Sequence, residues 1–98
     1  MSLLNLIDAA QQLPQSWTSK VLGQVDHARI KVLRMDGGSY PDECHDYTEA
    51  LIVLDGKMNL TVQDQAVTVQ AGSAYLVPAG VSHGVAVGSH GTLLIVDV

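Results

Sequence analysis

The chain has 98 residues, which is the size of one small domain. Ten acidic residues against five basic ones give a formal charge of -5, and the scattered Lys and Arg side chains form no basic patch for nucleic acid. The N-terminus lacks the basic start and apolar run of a signal peptide, and no apolar stretch approaches the roughly 18 to 20 residues of a membrane span. We therefore expect a cytoplasmic protein that binds neither nucleic acid nor a membrane.

The composition favours an all-β fold. Aromatic residues make up only 4% of the chain and Phe is absent, so the core must be built from Val, Leu, Ile and Ala. Branching at Cβ suits Val and Ile to a pleated sheet.

One short helix is predicted near the N-terminus, over residues 5–12. Asn5 is a suitable N-cap, and Pro14 ends the helical pattern. The apolar stripe of this helix consists of Leu6, Ile7, Ala9, Ala10 and Leu13. Residues 1–15 then form a helix and arm, and residues 17–98 form the body of the same single domain.

The rest of the chain alternates between apolar and polar residues and is interrupted by turn signals. Asp55-Gly56 is a strong hairpin signal, and Pro78-Ala79-Gly80 indicates a loop. The predicted strands are 17–25, 27–35, 48–54, 57–63, 66–70, 74–77, 83–87 and 92–98. About eight to ten short strands at regular spacing predict an antiparallel sandwich or closed barrel.

Two of these strands are apolar on both faces, at residues 50–54 and 93–96. Only one face of a barrel strand points inward, so the outer face needs a cover. The N-terminal helix could cover one such patch and a second copy of the chain the other, which predicts a homodimer.

Residues 42–49 carry most of the side chains that suggest chemistry. They hold the only cysteine, Cys44, together with His45 and both glutamates of the chain, Glu43 and Glu49. Residues two apart share a face of a strand, so Glu43 and His45 point the same way if this segment is extended, and Glu49 points with the apolar residues 51 and 53.

His83, on a later strand, also shares its face with apolar residues. A carboxylate facing an apolar interior is costly unless it is paired or binds a cation. Two imidazoles and two carboxylates suit Mn, Fe, Ni or Zn. The simpler alternative is that the glutamates are solvated at a barrel mouth and that the histidines are hydrogen-bonded core residues.

The spacing of these residues resembles the two motifs of the cupin superfamily, particularly its small single-domain (type-2) members. The first motif is Gly, five residues, His, one, His, three or four, Glu, six, Gly, and the chain shows Gly37, Glu43, His45, Glu49 and Gly56 at these positions. The second motif is Gly, five, Pro, one, Gly, two, His, three, Asn. The chain matches it with Gly72, Pro78, Gly80 and His83 and departs from it at Val87.

The resemblance implies a cupin-like antiparallel β-barrel or jelly roll with a metal or small ligand in its mouth. It implies His45, Glu49 and His83 as ligands of a divalent transition metal, with Glu43 as a possible fourth ligand where the family has His. A competing alignment places Asp42 and Cys44 at the two His positions but leaves His45 without a role. Otherwise Cys44, which alternation directs away from His45, is expected to be structural or incidental.

The function is left open among three classes. The first is a metal-dependent enzyme, such as a dioxygenase or isomerase acting on a small polar substrate. The second is a non-catalytic module that binds a metal or a small molecule, and the third is a barrel without a ligand. Other residues of interest are Trp17, expected to anchor the N-terminal arm or contact a ligand, and three tyrosines near the motifs, Tyr40, Tyr47 and Tyr75.

Overall fold

The computed structural model describes residues 3–98 as one short helix followed by eight strands. The helix is α1 (Leu6–Gln11). The strands are β1 (Lys20–Val25), β2 (Ala28–Asp36), β3 (Tyr40–Glu43), β4 (Glu49–Val62), β5 (Gln65–Gln70), β6 (Ala74–Val77), β7 (His83–Val85) and β8 (His90–Asp97). Within the described part of the chain, no helix is long and apolar enough to cross a membrane.

The helix lies where the sequence predicts it. The Asn5 side chain accepts a hydrogen bond from the backbone N–H of Asp8 at 3.0 Å, as an N-cap should. At the other end, the Arg34 guanidinium donates to the backbone carbonyls of Ala10, Gln11 and Leu13, at the helix C-terminus, where backbone acceptors run short of N–H partners. Arg34 belongs to β2, so this contact fixes the N-terminal arm to the sheet.

All strand pairs are antiparallel, and they form one curled sheet in the order β1-β2-β8-β4-β7-β3, with β5 and β6 also paired to β4. This architecture confirms the predicted all-β, cupin-like barrel with one short helix.

The longest strand, β4, differs from the prediction, because Asp55-Gly56 does not form a hairpin. The strand continues through this dipeptide for 14 residues. A β-bulge lies there instead, since the register against β8 shifts between Val53 and Asp55.

The bulge also reverses which side chains face the core. Before it, the buried positions of β4 are the odd-numbered 49, 51 and 53, and after it they are the even-numbered 58, 60 and 62. Gly56, with φ 78°, makes the bend possible, because a Cβ there would collide with the backbone of His90 on β8. The first half of β4 pairs with β6 and β8 and the second half with β5 and β7, so this single strand joins both sides of the barrel.

The ends of two other strands also differ from the prediction. The first strand begins at Lys20 rather than Trp17, whose φ of 65° is incompatible with an extended strand. The last strand begins at His90, which pairs with Asp36 and Lys57 rather than lying in a loop.

The core lies between the inward faces of the strands and is made mainly of Val, Leu and Ile, as the composition predicts, together with Met35 and Met58. Its central members are fully buried, such as Val53, Met58 and Leu60. On the outer side, α1 contacts β2 and β8 and buries Ala10 completely. The helix therefore covers part of the outer apolar surface, and the homodimer that would cover more of it stays a prediction.

Candidate metal centre

Three strands and one connection bring the predicted ligands to one end of the barrel. In the β3–β7 pair, Glu43 lies directly opposite His83. Glu49 is the first residue of β4. His45 lies in the connection between β3 and β4, and its carbonyl accepts a hydrogen bond of 2.7 Å from the N–H of Gly80. The Pro78-Ala79-Gly80 turn therefore holds the loop that carries His45.

Three of these residues form a group that could hold a metal ion. One ligand atom each of Glu43, His45 and His83 lies within 4.8 Å of the others. The Nε2 atom of His45 is 3.4 Å from Oε2 of Glu43 and 3.8 Å from Oε1 of Glu49. Imidazole nitrogens and carboxylate oxygens are suitable ligands for Mn, Fe, Ni or Zn, so the residues present fit the ion that the sequence predicts.

Glu49 and His83 form the buried half of the site. Both residues are 6% exposed, and Oε1 of Glu49 is 2.8 Å from Nε2 of His83. The other ring nitrogen, Nδ1, is 3.0 Å from the carbonyl of Val81. A carbonyl can only accept, so Nδ1 carries a hydrogen, and a further proton must lie between Nε2 and the carboxylate. A divalent cation would replace that shared proton, which is the usual relation between metal binding and proton release.

A cavity of about 360 Å³ opens beside this cluster. Its inner wall is apolar, and the core residues Leu33, Leu51, Met58, Leu93 and Ile95 contribute to it. The volume is near the lower end for small-molecule sites, so the cavity suits a small ligand.

Aromatic side chains form part of the cavity wall. The ring of Tyr47 stacks on His45 at a centroid distance of 4.9 Å and fixes the orientation of the imidazole. Burial raises the pKa of the Tyr47 phenol, and the negative charges of Asp97 and Glu49 raise it further, so the phenol is a hydrogen-bond donor at neutral pH. Trp17 and Tyr40 also line the cavity, whereas Tyr75 packs against the core and does not.

Two charged residues of the cavity wall were not among the residues predicted for the site. Lys31 on β2 and Asp97 on β8 both line the cavity, and Lys31 Nζ is 2.7 Å from Oδ2 of Asp97. Alternation could have revealed them, since Lys31 shares its face with the core residue Leu33, and Asp97 shares its face with Ile95.

The cysteine and the other two histidines of the chain lie away from the cluster. Cys44 is exposed, and so are His27 and His90. Val87, where the second motif has Asn, is 74% exposed. None of these four side chains lines the cavity among residues 3–98.

Comparison with known families decides the classification. The model of the cupin domain matches residues 32–98, which include every residue of the cluster. The chain belongs to the cupin domain family. Comparison with curated proteins finds no significant match.

Solved structures agree with the fold of this cupin. A cupin-2 domain protein from Shewanella frigidimarina superposes with a TM-score of 0.87 and 26% identity, over 97% of this chain and 93% of that one. A protein from Neisseria meningitidis superposes with a TM-score of 0.84 and 18% identity, over 99% of both chains. A protein from Ralstonia eutropha, provisionally described as a mannose-6-phosphate isomerase, gives 0.73 and 18%, over 87% of this chain and 85% of that one. The last two identities support the fold alone.

Proposed function

We propose that this cupin binds one divalent transition-metal ion at the barrel mouth and holds a small polar ligand beside it. The protein ligands would be His45, His83, Glu49 and Glu43. The observation that carries the proposal is the convergence of Glu43, His45 and His83, whose ligand atoms lie within 4.8 Å of one another.

Burial of the Glu49–His83 pair supports the same conclusion. Taking a carboxylate out of water is expensive, and a buried ion pair often adds nothing to stability compared with apolar side chains. Glu49 is almost fully buried at the edge of the cavity, beside its apolar inner wall. Packing does not require a carboxylate at this position, whereas binding of a cation does.

A second candidate function is metal-dependent catalysis, for example by a dioxygenase or an isomerase. It is favoured by the position of the cluster on the cavity wall, because a substrate in the cavity would reach the ion. A bound divalent ion would polarise a carbonyl or hydroxyl oxygen of the substrate. The Glu43 side chain is 42% exposed, so among the carboxylates of the cluster it is the one that can exchange protons with a ligand or with solvent.

The metal site is tested by metal content. Protein stripped with a chelator is dialysed against Mn, Fe, Ni or Zn, and the bound ion is quantified by elemental analysis. We expect close to one equivalent of one of these ions in the wild type, and none in a His45→Ala/His83→Ala variant.

The chain offers a matched control in its two exposed histidines. A His27→Ala/His90→Ala variant loses the same number of imidazoles but should retain the ion, since both side chains lie outside the cluster. A wild type that binds none of the four ions, or equal losses in the two double variants, would contradict the proposal.

Catalysis is tested separately from binding. The metal-loaded protein is incubated with small diols, sugars and phenols while oxygen uptake and proton NMR spectra are recorded. Turnover that disappears in the His45→Ala/His83→Ala variant supports an enzyme, whereas saturable binding without turnover supports the non-catalytic module.

A further inference from the structure

The wall of the cavity carries a positively charged group in addition to the metal cluster. Lys31 lies on the inward face of β2, and its side chain is only 15% exposed. Its ammonium contacts Asp97, whose side chain is fully buried at the end of β8. Within residues 3–98, Asp97 is the one acidic residue that forms an ion pair with Lys31 within 4.0 Å.

Asp97 is held by two cations. Its Oδ2 atom is 2.7 Å from Nζ of Lys31, and its Oδ1 atom accepts a hydrogen bond of 3.0 Å from Nε of Arg29. One carboxylate between two cations leaves this cluster with one net positive charge. Arg29 lies at the outer end of the pair, with 39% of its side chain exposed, and does not line the cavity.

Of the two cations, Lys31 is the one that lines the cavity. An ammonium has three N–H donors, and its contact with Oδ2 of Asp97 is an ion pair without the alignment of a hydrogen bond. The donors are available to a ligand, and the ion pair limits the movement of the flexible lysine side chain.

We propose that Lys31 binds an anionic oxygen of the ligand, which makes a small carboxylate the preferred class of ligand for this cavity. The ligand would place its carboxylate on Lys31 and a second oxygen function on the ion, so this inference rests on the proposed metal site. Asp97 acts as a positioning residue for the lysine.

The charge balance of the cavity favours an anion. Glu43 and Glu49 carry two negative charges, and a divalent ion would neutralise both. Asp97 is the counter-charge of Lys31 but is shared with Arg29, so these three side chains together keep one positive charge. An anionic ligand would compensate that charge, whereas a neutral polyol would not.

The sheet order sets the reach of the ligand. Lys31 pairs with Ile95 on β8, and Ile95 pairs with Leu51 on β4, two residues from Glu49. Two strand spacings separate β2 from β4, which is roughly 10 Å between their backbones. The carboxylate and the metal-binding oxygen should therefore lie several bonds apart.

Ligand-observed NMR titration tests this inference with 4-hydroxybutyrate and butane-1,4-diol, which differ only in one terminal carboxylate. The zinc-loaded wild type should bind 4-hydroxybutyrate at least about tenfold more tightly than the diol, the usual effect of a hydrogen bond to a charged group. Lys31→Gln should abolish that preference, and Lys31→Arg should retain most of it.

Arg29→Gln is the matched control, because it also removes one cation from Asp97 but alters no side chain of the cavity wall. It should weaken the binding of 4-hydroxybutyrate less than Lys31→Gln does, because the charge of Arg29 is partly exposed, screened by solvent and outside the cavity. Circular dichroism and thermal unfolding verify that each variant is folded.

Two results would overturn the inference: a wild type that does not prefer the carboxylate, or equal losses in Lys31→Gln and Arg29→Gln. Metal content, measured on the same samples, separates this inference from the metal site. A carboxylate preference that depends on Lys31 in protein that retains no ion would refute the metal site and leave the anion subsite standing.

Discussion

Substitution of Glu49 should affect two properties of the protein differently: the stability of the barrel and its affinity for a metal ion. The carboxylate is 2.8 Å from Nε2 of His83 and is almost completely buried. The Glu49→Gln substitution keeps the shape of the side chain and replaces a carboxylate oxygen with an amide N–H. That N–H can donate to Nε2 of a neutral His83, while Nδ1 continues to donate to the carbonyl of Val81.

The expected magnitudes follow from this geometry. Because Glu49→Gln leaves no buried polar atom unpaired and removes a buried charge, the free energy of unfolding without metal should change by less than about 1 kcal/mol. Glu49→Leu is the contrasting variant. It leaves Nε2 of His83 buried without a partner, which should cost about 1 to 3 kcal/mol.

The affinity for the metal ion, in contrast, should fall strongly in Glu49→Gln. An ion supplied at about 100 times its Kd stabilises the wild type by about 2.7 kcal/mol. Loss of a direct ligand should weaken binding at least as much as loss of a residue that only orients a ligand, which is about tenfold to 100-fold. At 100-fold, the same ion concentration would stabilise Glu49→Gln by only about 0.4 kcal/mol.

Urea unfolding with a chelator, and then with the ion that the wild type retains, measures both quantities. Two results would refute the reasoning. One is a loss of about 2 kcal/mol or more for Glu49→Gln in the chelator, which would mean that the charged pair stabilises the fold. The other is an undiminished gain with metal, which would mean that Glu49 is not a ligand.

Three further predictions concern other parts of the chain. Burial alone would raise the pKa of Asp97, but its contacts with two cations, Lys31 and Arg29, outweigh burial and lower it. A lowered pKa stabilises the folded protein at any pH above about 3.8, the pKa of the unfolded state. This stabilisation is lost as the pH falls through the pKa of the folded state. Asp97→Asn should therefore lose about 2 kcal/mol in urea unfolding at neutral pH and show a shallower loss below pH 4, and an unchanged acid profile would contradict this. Gly56→Ala should lower the free energy of unfolding by about 3 kcal/mol or more, because a Cβ collides with the backbone of His90. Gly72 also has a positive φ, 89°, but open space around it, so Gly72→Ala should lower that free energy by only about 1 kcal/mol. Equal losses in the two variants would exclude the collision as the cause. Cys44→Ser should retain the full metal content, because the thiol is exposed and outside the cluster, and a loss of metal would favour the competing motif alignment.

Local sequence signals predicted most of the fold. The Asn5 cap, the Pro14 stop and the period-2 alternation each act over a few residues, so they were readable without the tertiary structure. Asp55-Gly56 misled because the same dipeptide suits a two-residue turn and a β-bulge. Pairing with β8 decides between them, and Gly91, the partner of Gly56 on that strand, lies 35 residues further along the chain.

The candidate site was predicted in part for the same reason. Motif spacing indicated Glu43, His45, Glu49 and His83, and the structure brings three of them within 4.8 Å of one another, with Glu49 hydrogen-bonded to His83. Lys31 was missed because it lies outside both motifs, and only its alternation with the core residue Leu33 marks it as facing inward.

By itself, the sequence determined the β architecture, the short helix and the residue types that can bind a metal, because alternation, capping and ligand chemistry depend on neighbouring residues. The tertiary structure decided that β4 is one bulged strand, that Glu43 faces His83, and that Lys31 and Asp97 share a cavity with them. These relations depend on strand order and register, since antiparallel pairing joins residues that are distant along the chain.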